Sequence, residues 1–168
     1  MTESIYWITA ARPHRIAIIA RPRGWDWLED DIKNLSRGGI EVLVSLLTTG
    51  ERDGLGLAEE ERFCDRNGIR FFNFQIPDRS VPDERKIPVL LHTLVRQVNL
   101  GRGVGLHCRA GIGRSSMLAA LLLARLGWAP QAAFTAISQS RGCRVPDTLE
   151  QEQWVERFAR GHYCRSGK

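Results

Sequence analysis

The chain has 168 residues, and its 24 Lys and Arg residues against 19 Asp and Glu residues give it a net charge of +5. Hydrophobic residues make up 43% and charged residues 26% of the chain, which is typical of a globular protein. No apolar run is long enough to cross a membrane, and the first residues lack the pattern of a signal peptide, so we expect a cytoplasmic protein. The length predicts a single domain over residues 1–168.

The spacing of cysteine and histidine predicts no metal site and no disulfide framework. The four cysteines are far apart and form no Cys-x-x-Cys pair, and the four histidines are equally scattered. We therefore expect neither a metal ion nor a cofactor. The positive charge suits an anionic substrate. Nucleic acid would explain it too, but the charge is spread along the chain, so we expect no nucleic-acid partner and no membrane partner.

The chain opens with two predicted strands, at residues 5–8 and 16–19. A helix is predicted from residue 25, because apolar residues recur there at spacings of three and four, and the glycine pair at 38–39 ends it.

The apolar, β-branched stretch at residues 40–47 predicts a strand in the centre of a sheet. Residues 48–56 are polar and rich in glycine, which predicts a loop. A helix is predicted at 59–67 and a strand at 69–74, and the prolines of segment 75–83 predict another loop.

The second half of the chain predicts a helix at 88–101, a short strand at 104–106 and further helices at 116–126, 130–137 and 148–160. Four residues of the last helix are expected on its buried side: Leu149, Trp154, Val155 and Phe158. Strands that alternate with helices indicate an α/β fold, with a largely parallel central sheet flanked by helices.

Residues 107–115, HCRAGIGRS, join the predicted strand at 104–106 to a helix. The first N–H groups of a helix have no internal partner, and glycines such as Gly111 and Gly113 allow successive N–H groups to surround an anion. Arg114 adds a planar guanidinium that can bind two phosphate oxygens. The same positive field favours Cys108 as a thiolate, which is the nucleophilic form. A nucleophile and a phosphate site are therefore predicted together, although a cysteine before a helix can also be a small buried hydrophobe.

This segment resembles the signature His-Cys-x-x-Gly-x-x-Arg-Ser of the cysteine-dependent protein phosphatases of the dual-specificity type, and it matches every defining position. Among its members, the chain looks similar to the kinase-associated phosphatases and related small microbial enzymes. Rhodanese-like sulfurtransferases have a similar loop, but their arginine usually lies one residue nearer the cysteine, so the spacing between Cys108 and Arg114 counts against that family. The resemblance covers nearly the whole chain and implies a mixed sheet flanked by helices.

The resemblance also implies a role for each residue of the segment. Cys108 is the nucleophile, and Ser115 donates a hydrogen bond to its sulfur, although Ser115 could instead cap the helix. His107 steadies the loop. The phosphate is bound by Arg114 and by the backbone of Arg109, Ala110, Gly111, Ile112 and Gly113.

Two further residues are assigned outside the segment. The leaving group needs a proton from a carboxylic acid, and in the resembling family this acid precedes the cysteine by roughly thirty residues. Asp78 precedes Cys108 by 30 residues and is favoured over Asp83, which follows Pro82 in a pattern that opens a helix. Gln151 resembles a glutamine that places the hydrolytic water, although it could equally lie on a solvated helix face.

The sequence therefore predicts a metal-independent phosphatase that acts on phosphorylated proteins through a phosphocysteine intermediate. Phosphotyrosine is the expected substrate, with phosphoserine and phosphothreonine left open. One alternative is a phospho-ligand-binding module of weak activity. Another is a phosphatase for lipid or RNA phosphates, but lipid-directed relatives often carry lysines in the loop and residues 109–113 contain none.

Overall fold

The computed structural model of the protein describes residues 5–163 and contains a central sheet with the strand order β1-β2-β5-β3-β4. Strand β1 is antiparallel to β2, and all other neighbours are parallel. The strands are β1 (Ile5–Trp7), β2 (Ile16–Ile19), β3 (Val42–Ser45), β4 (Arg70–Asn73) and β5 (Val104–His107). The predicted α/β fold with a mixed, largely parallel sheet is confirmed.

Seven α-helices lie within the described residues, and two short 3-10 turns, at Thr9–Ala11 and Trp25–Trp27, accompany them. The helices are α1 (Leu28–Arg37), α2 (Thr49–Gly54), α3 (Glu60–Arg66), α4 (Ile87–Asn99), α5 (Arg114–Arg125), α6 (Pro130–Arg141) and α7 (Leu149–Tyr163). Within residues 5–163, no helix combines the length and the apolar character that crossing a bilayer requires.

The sheet separates two apolar cores. Leu43 of β3 and Ile19 of β2 pack with α1 and α3 on one face, while Val44 and Leu106 pack with α4 to α7 on the other. This division follows from the alternation of side chains along each strand. Helix α5 is buried from Arg114 to Ala124, as expected for a helix that is apolar almost all round.

The sequence-based prediction of a loop at residues 48–56 is wrong, because α2 forms there. The Thr48 side chain accepts a hydrogen bond from the Glu51 N–H at 3.3 Å, and the Glu51 carboxylate accepts one from the Thr48 N–H at 3.0 Å. This reciprocal pair is a capping box, which satisfies two N–H groups at the helix start and outweighs the cost of the glycines.

The prediction that Leu149 is buried is also wrong, since the residue is 64% exposed. It is the first residue of α7 and lies off the stripe that faces the core. That stripe contains Gln151, Trp154, Val155 and Phe158.

Candidate active site

The topology explains why the loop after β5 is at the centre of the site. Strands β2, β5, β3 and β4 are parallel, so their carboxyl ends meet at one edge of the sheet. In open α/β sheets this edge is where ligands bind. Cys108 directly follows β5, and the segments after β3 and β4 carry α2 and Asp78 to the same edge.

A cavity of about 160 Å³ opens over the loop at 108–113. Its walls bring together eight of the predicted residues, namely Asp78, Cys108, Arg109, Ala110, Ile112, Gly113, Arg114 and Gln151. Ser115 and His107 are fully buried and do not line the cavity. Gly111 has a φ of +67°, a left-handed conformation that favours glycine.

Cys108 lines this cavity, and only 3% of the residue is exposed. Its Sγ is 3.4 Å from the hydroxyl oxygen of Ser115, which is fully buried in the first turn of α5. Ser115 is therefore placed to donate a hydrogen bond to a thiolate. The structure shows no side-chain cap at the start of α5, so Ser115 does not act as a helix cap.

Arg114 is held rigidly although it begins a helix at the edge of the cavity. Its guanidinium donates two hydrogen bonds to the Glu51 carboxylate, at 2.8 and 2.9 Å, and one to the Ile76 carbonyl at 2.9 Å. Only 2% of its side chain is exposed. Nη2 also lies 3.1 Å from an oxygen of Asp78. The contacts fix the plane of the guanidinium before any phosphate binds.

Electrostatics show the strength of the Arg114–Glu51 pair. The hydrogen bonds from Arg114 are the main cause that lowers the pKa of Glu51 to about 2, despite an opposing effect of burial. Burial likewise opposes the charge on Arg114, but hydrogen bonding to Glu51 and the charges of Cys108, Glu51 and Asp78 outweigh it and raise the pKa of the guanidinium. The pair is therefore ionised over the whole working range of pH.

Sequence reasoning missed Glu51 because it was assigned to a loop. It is 63 residues from Arg114, and no local pattern marks such a distant contact. The Thr-x-x-Glu pattern at residues 48–51 would have placed Glu51 in the first turn of a helix. It would not have identified its partner.

The structure brings Asp78 to the cavity and leaves Asp83 outside it. Asp78 is 60% exposed and accepts a hydrogen bond from the Arg79 N–H at 3.1 Å. The Asp83 carboxylate instead accepts from the Arg85 N–H at 2.9 Å. This backbone hydrogen bond, followed by the Arg85 guanidinium, lowers the pKa of Asp83. Asp83 thus stabilises the turn before α4, in agreement with the prediction that it belongs to a pattern that opens a helix.

The loop that carries Asp78 is attached to the segment that begins α7. Three side-chain contacts join them: Gln151 Nε2 donates to the Ser80 carbonyl at 3.2 Å, Trp154 Nε1 donates to Glu84 at 2.8 Å, and Arg79 lies 3.5 Å from Asp147. These contacts restrict the positions that Asp78 can reach.

Gln151 does not lie on a solvated helix face, because it is fully buried. Its Oε1 has no hydrogen-bond partner among the described residues. The side chain lies close to Gly113, where an added Cβ would be 2.9 Å from Oε1. A free acceptor beside the cysteine loop is suited to hold a water molecule.

Arg141 supports the loop from behind and was also missed by sequence reasoning. Its guanidinium donates to the Gly111 carbonyl at 2.8 Å and to the Ala110 carbonyl at 3.3 Å, and it stacks over the Tyr6 ring at 4.0 Å. With two carbonyls held on the outer side, the N–H groups of the loop are free to turn toward the cavity.

Two other predictions concern metal ions and disulfide bonds. The residues described here contain no group of three or more His, Cys, Asp and Glu placed to hold a metal ion. The absence of a cofactor stays a prediction. Cys64 is buried in the core beside α1, where burial, and then the charges of Glu60 and Glu61, raise its pKa. Cys164 lies outside the described residues.

A family model described as "Polymorphic toxin system, DSP-PTPase phosphatase" matches residues 17–127, which is more than half of the chain and includes the whole cysteine loop. The chain belongs to this family. The resemblance inferred from residues 107–115 is therefore confirmed, and the predicted enzyme class is that of the DSP-PTPase family.

Curated relatives and solved structures agree with this membership. Rat "Cyclin-dependent kinase inhibitor 3" is 26% identical over 133 residues, which cover 78% of this chain and 63% of the rat protein. The chain thus spans less than two thirds of this relative. A kinase-associated phosphatase with its catalytic cysteine substituted by serine has a TM-score of 0.82 at 21% identity and 94% coverage of both chains. The active form of Tk-PTP has a TM-score of 0.78 at 22% identity, covering 95% of this chain and 99% of its own.

The Arg114–Glu51 pair leads to a prediction about activity. In Glu51→Gln the guanidinium loses its charged partner, and we expect kcat/KM for an aryl phosphate to fall about a hundredfold, because Arg114 is no longer held in place. The exposed residue Asp53 of the same helix provides the control. Asp53→Asn should retain the kcat/KM of the wild type, and an equal loss in both variants would contradict the positioning role.

The same variant should change the pH dependence of stability. The folded-state pKa of Glu51, about 2, lies below its ordinary value of 4.5. The pair therefore stabilises the fold fully above pH 4.5, and this contribution, at most about 3 kcal/mol, is lost as the pH falls toward 2. Denaturant unfolding of wild type and Glu51→Gln at pH 6 and pH 3 measures it. A stability gap that does not narrow at pH 3 would count against the pair.

Proposed function

We propose that this protein hydrolyses phosphate monoesters on phosphorylated proteins, without a metal ion and through a phosphocysteine intermediate on Cys108. One observation carries the proposal: the Cys108 sulfur, the fixed Arg114 guanidinium and the Asp78 carboxyl group line one small cavity. The parts needed for nucleophilic attack, charge stabilisation and proton transfer are therefore within reach of a single phosphoryl group.

The first step transfers the phosphoryl group to the enzyme. The loop N–H groups and Arg114 bind the non-bridging oxygens, and the Cys108 thiolate attacks phosphorus as the bond to the leaving oxygen breaks. Asp78 gives its proton to that oxygen. A phosphate bound by Arg114 competes with Asp78 for the Nη2 atom that lies 3.1 Å away, so substrate binding frees the carboxyl group to face the leaving group.

The second step releases phosphate. Asp78, now a carboxylate, takes a proton from a water molecule whose oxygen attacks phosphorus, and the bond between sulfur and phosphorus breaks. The departing Cys108 thiolate accepts a hydrogen bond from Ser115, whose Oγ is 3.4 Å from the sulfur. Gln151 supports this step, because its Oε1 is an acceptor without a partner among the described residues beside the same cavity.

Phosphoproteins are proposed as substrates because the chain belongs to the DSP-PTPase family and because its net charge of +5 attracts anionic partners. The curated relatives bear the name of a protein that inhibits a cyclin-dependent kinase. One structural neighbour, PTPMT1, was solved in complex with PI(5)P, but at 18% identity this likeness supports the fold alone. The single domain, the cytoplasmic location and the absence of nucleic-acid and membrane partners stay predictions.

Turnover of p-nitrophenyl phosphate tests the proposal directly. We expect steady hydrolysis by the wild type and a loss of about a thousandfold or more in Cys108→Ser, because a serine hydroxyl stays protonated in the same place. Cys143→Ser, at an exposed cysteine outside the cavity, should keep full activity.

The outcomes separate the alternatives. A Cys108→Ser variant that kept a tenth of the wild-type rate would show that Cys108 is not the nucleophile. A wild-type protein that binds inorganic phosphate, measured by calorimetry, but turns over no phosphate ester would favour the phospho-binding module.

The assignment of the acid predicts a dependence on the leaving group. Asp78→Ala should lower kcat/KM for p-nitrophenyl phosphate by about 10²–10⁴-fold and flatten the basic limb of the pH–rate profile. An aryl phosphate with a more acidic phenol should be affected less, because its leaving group needs the proton less. Asp83→Ala should mainly shift the denaturation midpoint. If Asp83→Ala alone removed the basic limb, the acid would have been assigned to the wrong carboxylate.

A further inference from the structure

The arginines around the cavity differ in whether a carboxylate balances their charge. Among the described residues, those that line it are Arg79, Arg109 and Arg114. Arg114 is buried and has Glu51 as its bidentate partner. Arg79 lies 3.5 Å from Asp147, which lines the same cavity. Both of these arginines therefore have a carboxylate partner, which leaves Arg109 to be explained.

Arg109 directly follows the nucleophile and is exposed at the cavity. Within residues 5–163 its side chain has neither a hydrogen bond nor an ion pair. A guanidinium carries a positive charge and five N–H donors, which bind oxygen acceptors. The rim of the cavity thus has an excess of positive charge, and its donors are not used by the described part of the protein.

The size of the cavity places the neighbours of a phosphorylated residue over this rim. A volume of about 160 Å³ leaves room for little more than one phosphorylated side chain. Consecutive Cα atoms of a substrate are about 3.8 Å apart, so the side chains on either side of the phosphorylated residue lie just outside the cavity. The long side chain of Arg109 has these neighbours within reach. Since the loop N–H groups and Arg114 are assigned to the reacting phosphate, the donors of Arg109 are available for a second group.

We propose that Arg109 selects phosphoproteins that carry a second anionic group, either a carboxylate or another phosphate, next to the phosphorylated residue. Arginine suits both groups, because its N–H donors bind two oxygens of a carboxylate or a phosphate at once. Arg79 contributes less to this selection, because Asp147 already balances its charge. The inference rests on the proposed function and adds the class of substrate that the same site prefers.

Peptide binding measures this preference without turnover. The probes are three peptides in which a phosphonate that cannot be hydrolysed replaces the phosphate ester of the central residue. Its neighbours are alanine in the first peptide and aspartate in the second, and the third carries a second phosphonate beside the first. Fluorescence anisotropy gives the Kd of each.

We expect the wild type to bind the aspartate peptide about fivefold more tightly than the alanine peptide, the size of effect that an exposed ion pair produces. The peptide with two phosphonates should bind about tenfold more tightly or better, because this group carries more charge than a carboxylate. Equal Kd values for the three peptides would overturn the proposal.

Arg109→Gln removes the cation and should bring the three Kd values within about twofold of one another. Arg144→Gln is the matched control, because it removes the same charge from an arginine that is 87% exposed and lies outside the cavity wall. Its ratios of Kd should equal those of the wild type. A preference that persists in Arg109→Gln, or that falls equally in both variants, would contradict the assignment to Arg109.

Salt provides a second measurement on the wild type alone. The preference for the anionic peptides should shrink at about 0.5 M sodium chloride, where exposed charges are screened. If Arg109→Gln fails to fold, a preference that does not change with salt would be enough to reject the proposal.

The outcomes also separate this inference from the proposed function. Binding with equal Kd values rejects the inference alone, whereas a clear preference without hydrolysis of p-nitrophenyl phosphate rejects the proposed function alone. Failure to bind any of the peptides would overturn both. Tighter binding of a soluble inositol bisphosphate than of every peptide would overturn the proposal in favour of a lipid headgroup.

Discussion

The bidentate contact between Arg114 and Glu51 is the interaction on which the rest of the site depends. It joins the first residue of α5 to the first turn of α2, and a third hydrogen bond joins Arg114 to the carbonyl of Ile76, next to the loop that carries Asp78. Removing one member of such a buried pair leaves an uncompensated charge, which is far more costly than replacing both. The pair therefore links three segments that meet at the cavity and fixes the positive charge that a phosphate requires.

The topology of the sheet makes this meeting possible. Parallel strands end at one edge, where the loop after β5 lies next to the end of β3, which leads into α2, and β4, which leads into the segment with Asp78, is the next strand along. Two neighbouring side chains at the end of β5 point to opposite faces of the sheet. Cys108 faces the core of α4 to α7, while His107, one residue earlier, faces α3 on the other side of the sheet. The strand end therefore places the nucleophile one residue from a buried contact between His107 and Glu60.

The sequence predicts what is encoded locally. The cysteine loop could be identified because its nucleophile, glycines and arginine lie within nine consecutive residues, and α5 could be identified because an apolar run of that length cannot be a strand. Helix α2 was missed because its glycines were weighed more heavily than the capping pattern of Thr48 and Glu51. The error mattered, since it concealed the partner of Arg114.

Contacts between distant residues could not be predicted in the same way. In the sequence Arg141 is an ordinary polar residue at the end of α6, and its importance depends on the loop against which the helix is packed. Gln151 lies between these two cases. The resemblance suggested its role from the sequence, but its burial and its Oε1 without a partner among the described residues are visible only in the structure.

The central claim, covalent catalysis by Cys108, is tested most directly by trapping the intermediate. The protein is mixed with an aryl phosphate, quenched in acid within milliseconds, digested and analysed by mass spectrometry. The account predicts one phosphoryl group on the peptide that contains Cys108, at a level that rises before the steady state and disappears when substrate is exhausted. Turnover with no phosphoryl group on that peptide, or with the group on another residue, would contradict it.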